Sequence, residues 1–136
     1  MACPLLCVIA IMIDALFSDS NYVAQKKLLD ATALRHEALA ANIANIETPG
    51  YKRVDLPQDF NEEFAAHLRA GKPQAMTLPT LVEDSSTTSQ RPDGNNVDLE
   101  KELISMSSNT MQFETLSDFV SASLRQLRLA ITGRES

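Results

Sequence analysis

Apolar positions recur along two long stretches of this chain, one near each end, and the segment between them follows neither a helical nor a strand period. In the first stretch Leu28, Ala31, Leu34, Ala38, Ala41 and Asn45 are spaced by three or four, and Leu39, Ile43 and Ile46 form an adjoining stripe. This broad apolar face predicts an amphipathic helix over 18–46. Ser18, Asp19, Ser20 and Asn21 supply N-cap residue types at its start. In the second stretch Leu99, Leu103, Met106, Thr110, Phe113, Ser117, Val120, Leu124, Leu127 and Ile131 alternate by four and three, and all but Thr110 and Ser117 are apolar. That is a coiled-coil-like seam on a helix over 98–132, with Ile104, Met111, Leu116 and Phe119 flanking it. Asp98 is a good N-cap, Glu100 and Glu102 suit the positive end of the helix dipole, and Gly133 ends the helix.

The segment between them, 47–97, is rich in turns and loops. Pro57, Pro73, Pro79 and Pro92 interrupt it. Phe60, Phe64 and Leu68, four apart, predict a short helix over 59–70, and 76–82 reads as a short extended piece. Residues 83–96 are polar, and Arg91 to Asn96 reads as a turn. The fold expected is mainly α: long N-terminal and C-terminal helices pairing as a coiled-coil-like hairpin, with a loosely structured middle segment, all one domain over 14–136.

The first helical pattern stops at a distinctive string, Ala41-Asn42-Ile43-Ala44-Asn45-Ile46-Glu47-Thr48-Pro49-Gly50-Tyr51. Thr48 is pushed out of α geometry by the proline that follows it. Pro49 and Gly50 fit the central positions of a type II turn, proline fixing φ and glycine supplying φ > 0. Asn42 and Asn45, three apart, lie near one helix face, and each amide both donates and accepts. Such a pair either ties the helix end to the turn or reaches across to a neighbouring chain.

Composition narrows the functions available. A net charge of −6 argues against a nucleic-acid or anionic-membrane surface. The only cysteines, Cys3 and Cys7, lie far in sequence from His36 and His67, so no metal-ligand spacing is present. A disulfide between them would close a tiny loop and stabilise little. No phosphate-binding glycine loop, nucleophile elbow or paired histidines occur, so no catalytic residue, cofactor or small-molecule substrate is expected. The carboxylates are scattered over helix starts and loops and are expected to be solvated. Residues 1–13 form an apolar run too short to span a bilayer as a helix. Three readings of it stay open: translation starting at Met12, a true apolar extension, or a signal segment lacking a leading positive charge.

The Asn42-to-Tyr51 string resembles the N-terminal signature of bacterial flagellar rod, hook and hook-associated proteins. Among these axial proteins the chain most resembles the proximal-rod FlgB family. It is short, with no room for a large inserted β-domain. Lys52-Arg53-Val54-Asp55 follows the turn, and Asp93-Gly94-Asn95-Asn96-Val97-Asp98-Leu99 leads into the second helix, as in that family. Ile46-Glu47 departs mildly from the family pattern, and the run before Met12 lies outside it. The resemblance implies a structural subunit of the flagellar basal-body rod that polymerises helically across the periplasm and transmits torque from rotor to hook. Its implied partners are copies of itself, other rod proteins, the inner-membrane ring adaptor protein and the flagellar type III export apparatus, with export needing no cleaved signal peptide. The expected assembly motif is Asn42, Asn45, Thr48, Pro49, Gly50 and Tyr51. The expected helix-packing seam is Leu99, Leu103, Met106, Phe113, Val120, Leu124, Leu127 and Ile131. The rival reading is a soluble helical-hairpin adaptor or secretion chaperone.

Overall fold

The computed structural model describes residues 20–84 and 91–133. The apolar run, Cys3, Cys7, the cap residues Ser18 and Asp19 and part of the 83–96 loop lie outside the described residues. In chain order the elements are helix α1 (Ser20–Ala44), strand β1 (Val54–Asp55), helix α2 (Phe60–Arg69), a 3₁₀ turn (Pro73–Ala75), strand β2 (Val82–Glu83) and helix α3 (Leu99–Thr132). The fold is mainly helical, and its two long helices pack on each other. Side-chain contacts run Asn42 to Glu102, Asn109 to Thr32 and Ser123 to Gln25, so α1 and α3 are antiparallel.

Both ends of α3 are built as the sequence predicts. Asp98 Oδ1 accepts from the Glu100 and Lys101 amides at 3.1 and 3.4 Å. The Lys101 amide is the main reason its carboxyl sits below the ordinary aspartate range. Gly133, at φ +64°, closes the other end with its N–H on the Leu129 carbonyl at 2.8 Å. At about 1.5 Å per residue α3 is roughly 50 Å long.

The middle of the chain folds back along α1. Phe60 of α2 and Met76 are buried against Ala31, and Leu28, Leu56 and Phe64 pack around them. Phe60 and Phe64 stack at 6.1 Å between ring centroids. Lys27 Nζ donates to the Met76 carbonyl at 2.7 Å, fixing the chain after the 3₁₀ turn onto α1. β1 and β2 pair antiparallel, Val54 opposite Glu83 and Asp55 opposite Val82. This small ladder brings Asp84 beside Arg53, its N–H on the Arg53 carbonyl at 2.8 Å, and the site depends on that.

Candidate functional site: the corner after the first helix

α1 ends at Ala44, and its last carbonyls need partners that the helix itself does not supply. Asn45 N–H and Nδ2 take the Ala41 carbonyl and Ile46 N–H takes that of Ile43, while a turn and a distant asparagine hold the carbonyls just beyond. Thr48 N–H donates to the Asn45 carbonyl at 3.0 Å, and Tyr51 N–H to the Thr48 carbonyl at 3.3 Å. Gly50, at φ +73°, takes the left-handed position of that second turn. Asn95 Nδ2 then spreads over the carbonyls of Asn45, Ile46 and Thr48 at 3.0, 3.1 and 3.0 Å. Its own Oδ1 accepts from Val97 N–H at 2.8 Å. The loop before α3 thus holds the corner that follows α1. Gly50 N–H reinforces this on the Asp93 carbonyl at 2.9 Å, Lys52 Nζ on the Gly94 carbonyl at 2.7 Å, and Arg91 Nη1 on the Ile46 carbonyl at 2.9 Å.

The two motif asparagines differ in depth. Asn42 is completely buried. Its Nδ2 donates to the Val54 carbonyl at 2.8 Å and to Glu102 Oε2 at 3.0 Å. Its Oδ1 accepts from Val54 N–H at 2.9 Å and from the Tyr51 hydroxyl at 3.2 Å. One amide therefore joins α1, the corner, β1 and α3. Asn45 works locally, donating to the Ala41 carbonyl at 2.9 Å and accepting from the Thr48 hydroxyl at 3.2 Å. Of the two roles open to the pair, both side chains take the internal one. Glu47, Thr48, Pro49 and Gly50 face outward.

Next to Asn42 lies a cluster of buried charges. The Arg53 guanidinium donates from Nε to Glu102 Oε1 at 2.6 Å, from Nη2 to Asp55 at 2.8 Å and from Nη1 to Asp84. Glu102 is only 1% exposed. Asp55 also pairs with Arg35 Nε at 3.1 Å. Asn96 Oδ1 accepts from Arg53 N–H at 2.7 Å. Burial by itself would lower the Arg53 pKa. Hydrogen bonds and charges from Glu102 and Asp55 outweigh it and hold the group above the ordinary arginine range. Tyr51 is also shifted up from 10.0, first by burial and then by the Glu102 charge.

This cluster corrects the expectation that the carboxylates are solvated, for Asp55, Asp84 and Glu102 converge on one arginine. Glu102 is a buried ion-pair partner linking α3 to the corner, a role beyond that of a dipole-complementing residue at an exposed helix start. Neither Arg53 nor Asn95 stands out by residue type. The available signal was that both fall in the two strings flanking the middle segment, 52–55 and 93–99.

The C-terminal heptads also divide. The side of α3 that loses exposure against the rest of the fold runs through Glu102, Met106, Asn109, Leu116, Val120, Ser123 and Leu127. It shares Met106, Val120 and Leu127 with the expected seam. Glu102, Asn109 and Ser123, each hydrogen-bonded to α1, stand where the seam has Leu103, Thr110 and Leu124. Leu99, Leu103, Phe113, Leu124 and Ile131 stay exposed, Leu103 at 51% and Ile131 at 75%. On the opposite side Ile104 and Met111 are exposed too.

Among the described residues no group of His, Cys, Asp and Glu could hold a metal ion, and no helix is long and apolar enough to cross a membrane. The corner's arrangement is that of a structural joint.

Comparison with known proteins agrees on where the identity lies. The family model described as flagella basal body rod protein matches residues 29–52, the second half of α1 and the turn after it. The chain is similar to the flagellar basal body rod protein FlgB of Escherichia coli (strain K12), at 32% identity over 121 residues, covering 76% of this chain and 85% of the relative. It is 34% identical over 119 residues to the protein of that name from Aquifex aeolicus (strain VF5), covering 80% and 90%. With the one from Bacillus subtilis (strain 168) it shares 26% over 113 residues, covering 77% and 88%. Relatives of this identity and coverage show the family, and the chain belongs to the FlgB family of flagellar basal body rod proteins.

Proposed function

We propose that this chain, a structural subunit of the flagellar basal-body rod, enters the rod through the outward apolar positions of α3. The observation that carries this reading is the row Leu99, Leu103, Phe113, Leu124 and Ile131, left exposed along a helix roughly 50 Å long. Exposed apolar side chains aligned over such a length mark a surface meant for other protein. Repeated head-to-tail contact through unlike surfaces produces an open helical filament. That geometry and the family support helical polymerisation across the periplasm, with torque passing from rotor to hook. The partners are further copies of this chain and other rod proteins, with the inner-membrane ring adaptor at one end and the type III export apparatus as the route out, without a cleaved signal. The motif residues Asn42, Asn45, Thr48, Pro49, Gly50 and Tyr51 fix the angle at which the chain leaves α1. The relatives above are rod proteins, so the adaptor or chaperone reading has no support.

The test is incorporation. Leu103→Glu and Ile131→Glu change exposed positions and leave the corner untouched. Mass spectrometry of purified hook–basal bodies is expected to find neither variant in the rod, while both are expressed and exported at normal levels. Rods containing either variant at the unmodified level would refute the reading.

A further inference from the structure

The buried face of α1 repeats alanine at intervals of seven: Ala24, Ala31 and Ala38. On the side of α3 that loses exposure, Met106, Val120 and Leu127 are likewise separated by multiples of seven. Small side chains repeating at the same interval pack nearly as well after a slip of one heptad, about 10 Å along the axis. Apolar contact alone therefore leaves the register open. A single charge pair leaves it open as well. Arg35 stands one heptad before Asn42 on α1, so a slipped α3 could set Glu102 against Arg35 instead of Asn42.

Three features close the alternative. Asp55 holds both arginines, Arg35 at 3.1 Å and Arg53 at 2.8 Å, so Arg35 is already engaged. Arg53 meets Glu102 at 2.6 Å only when α3 starts level with the corner. Asn95 and Asn96, just ahead of α3, bond to the end of α1 and to Arg53 N–H, which fixes the height at which α3 begins. We propose that the polar cluster of Asn42, Arg53, Asn95 and Glu102 is a register lock, selecting one vertical alignment of two helices whose apolar faces permit more than one. Buried polar groups are best attested in this kind of specifying role. The inference concerns the hairpin alone and does not rest on the rod reading.

Register can be read as a distance. Spin labels on Lys26→Cys and Glu100→Cys, both exposed positions, in a full chain also carrying Cys3→Ser and Cys7→Ser, lie far apart along the axis. Pulsed electron resonance on this chain, and on the same chain with Asn109→Leu, which changes a buried polar contact outside the cluster, is expected to give one distance. Arg53→Met with Glu102→Leu is expected to add a second population, displaced by up to about 10 Å, seven residues at 1.5 Å each. If that pair of changes abolishes helical circular dichroism, Asn95→Ala decides in the same way. One unchanged distance in the deciding variant would overturn the proposal. So would a second population in the Asn109→Leu chain, or a broad distribution in the chain with the cluster intact.

Discussion

Asn42 and Asn45 look equivalent in the sequence, three residues apart on the last turns of α1, yet the structure predicts unequal costs for removing them. Asn42→Ala deletes two bonds to the Val54 backbone and one to the Glu102 carboxylate, and leaves the Tyr51 hydroxyl without its acceptor. Neutral bonds contribute about 1 kcal/mol each and a bond to a charged group about 1.5–3 kcal/mol, so the three neutral bonds and the charged one sum to about 4.5–6 kcal/mol. Asn45→Ala removes a bond to the Ala41 carbonyl within the same turn and one to an exposed threonine. That loss is about 0.5–1.5 kcal/mol, because water replaces both partners. The Asn45 carbonyl, which Asn95 uses, is unaffected. A domain of this size is stable by only about 5–15 kcal/mol, so the first change is large and the second modest. Urea unfolding followed by far-ultraviolet circular dichroism measures both, with the slope checked for constancy. Equal midpoint shifts in the two variants, or a larger one in Asn45→Ala, would refute the account of the corner.

Two further outcomes follow from the same joint. Gly50→Ala meets no atom within 4 Å, but the alanine must hold φ near +73°, so about 1–2 kcal/mol is lost to backbone strain alone, visible as a lower Tm. Tyr51 has a raised pKa when folded, mainly by burial, so the native state holds its proton more firmly than the unfolded chain. That stability is fully present below the ordinary value of 10.0 and is lost as pH rises through the folded value. In Tyr22→Phe, which leaves Tyr51 as the sole tyrosine, tyrosinate absorbance is expected to rise mainly above 10.0, and a midpoint at or below it would count against the half-buried position beside Glu102.

The helices and their caps were legible because their causes are local. Asp98, Gly133 and the Pro49-Gly50 turn act on amides and carbonyls within a few residues, and heptad spacing is a property of one segment. The charge cluster was not, because it depends on residues far apart in the chain. Glu102 reads as a dipole partner until Arg53, 49 residues earlier, is seen against it. Asn95 reads as one more turn residue until the chain folds back to set it over carbonyls 50, 49 and 47 residues away. Which side of α3 meets α1 is set by distant partners in the same way. A count of apolar residues favours the side with Leu103 and Leu124. The hairpin uses the neighbouring side because Glu102, Asn109 and Ser123 each find a partner on α1, and a paired buried polar group is no longer penalised for its polarity.

That choice of face bears on the whole molecule. Had α3 turned its most apolar side inward, the hairpin would satisfy itself and leave little for a neighbour to hold. Polar residues with partners spread through the other chain elements take the internal side instead. The internal contact is then specific in register, and the external side keeps Leu99, Leu103, Phe113, Leu124 and Ile131. A soluble adaptor whose helices meet only each other has no use for this division. A subunit that must hold its own shape while meeting others along a 50 Å helix requires it, since hydrophobic attraction is non-directional and the orientation must come from groups that pair one to one. The corner after α1 is where those groups are concentrated, and there the chain buries Asn42, Asn95 and Asn96 and exposes a short, proline-stiffened turn.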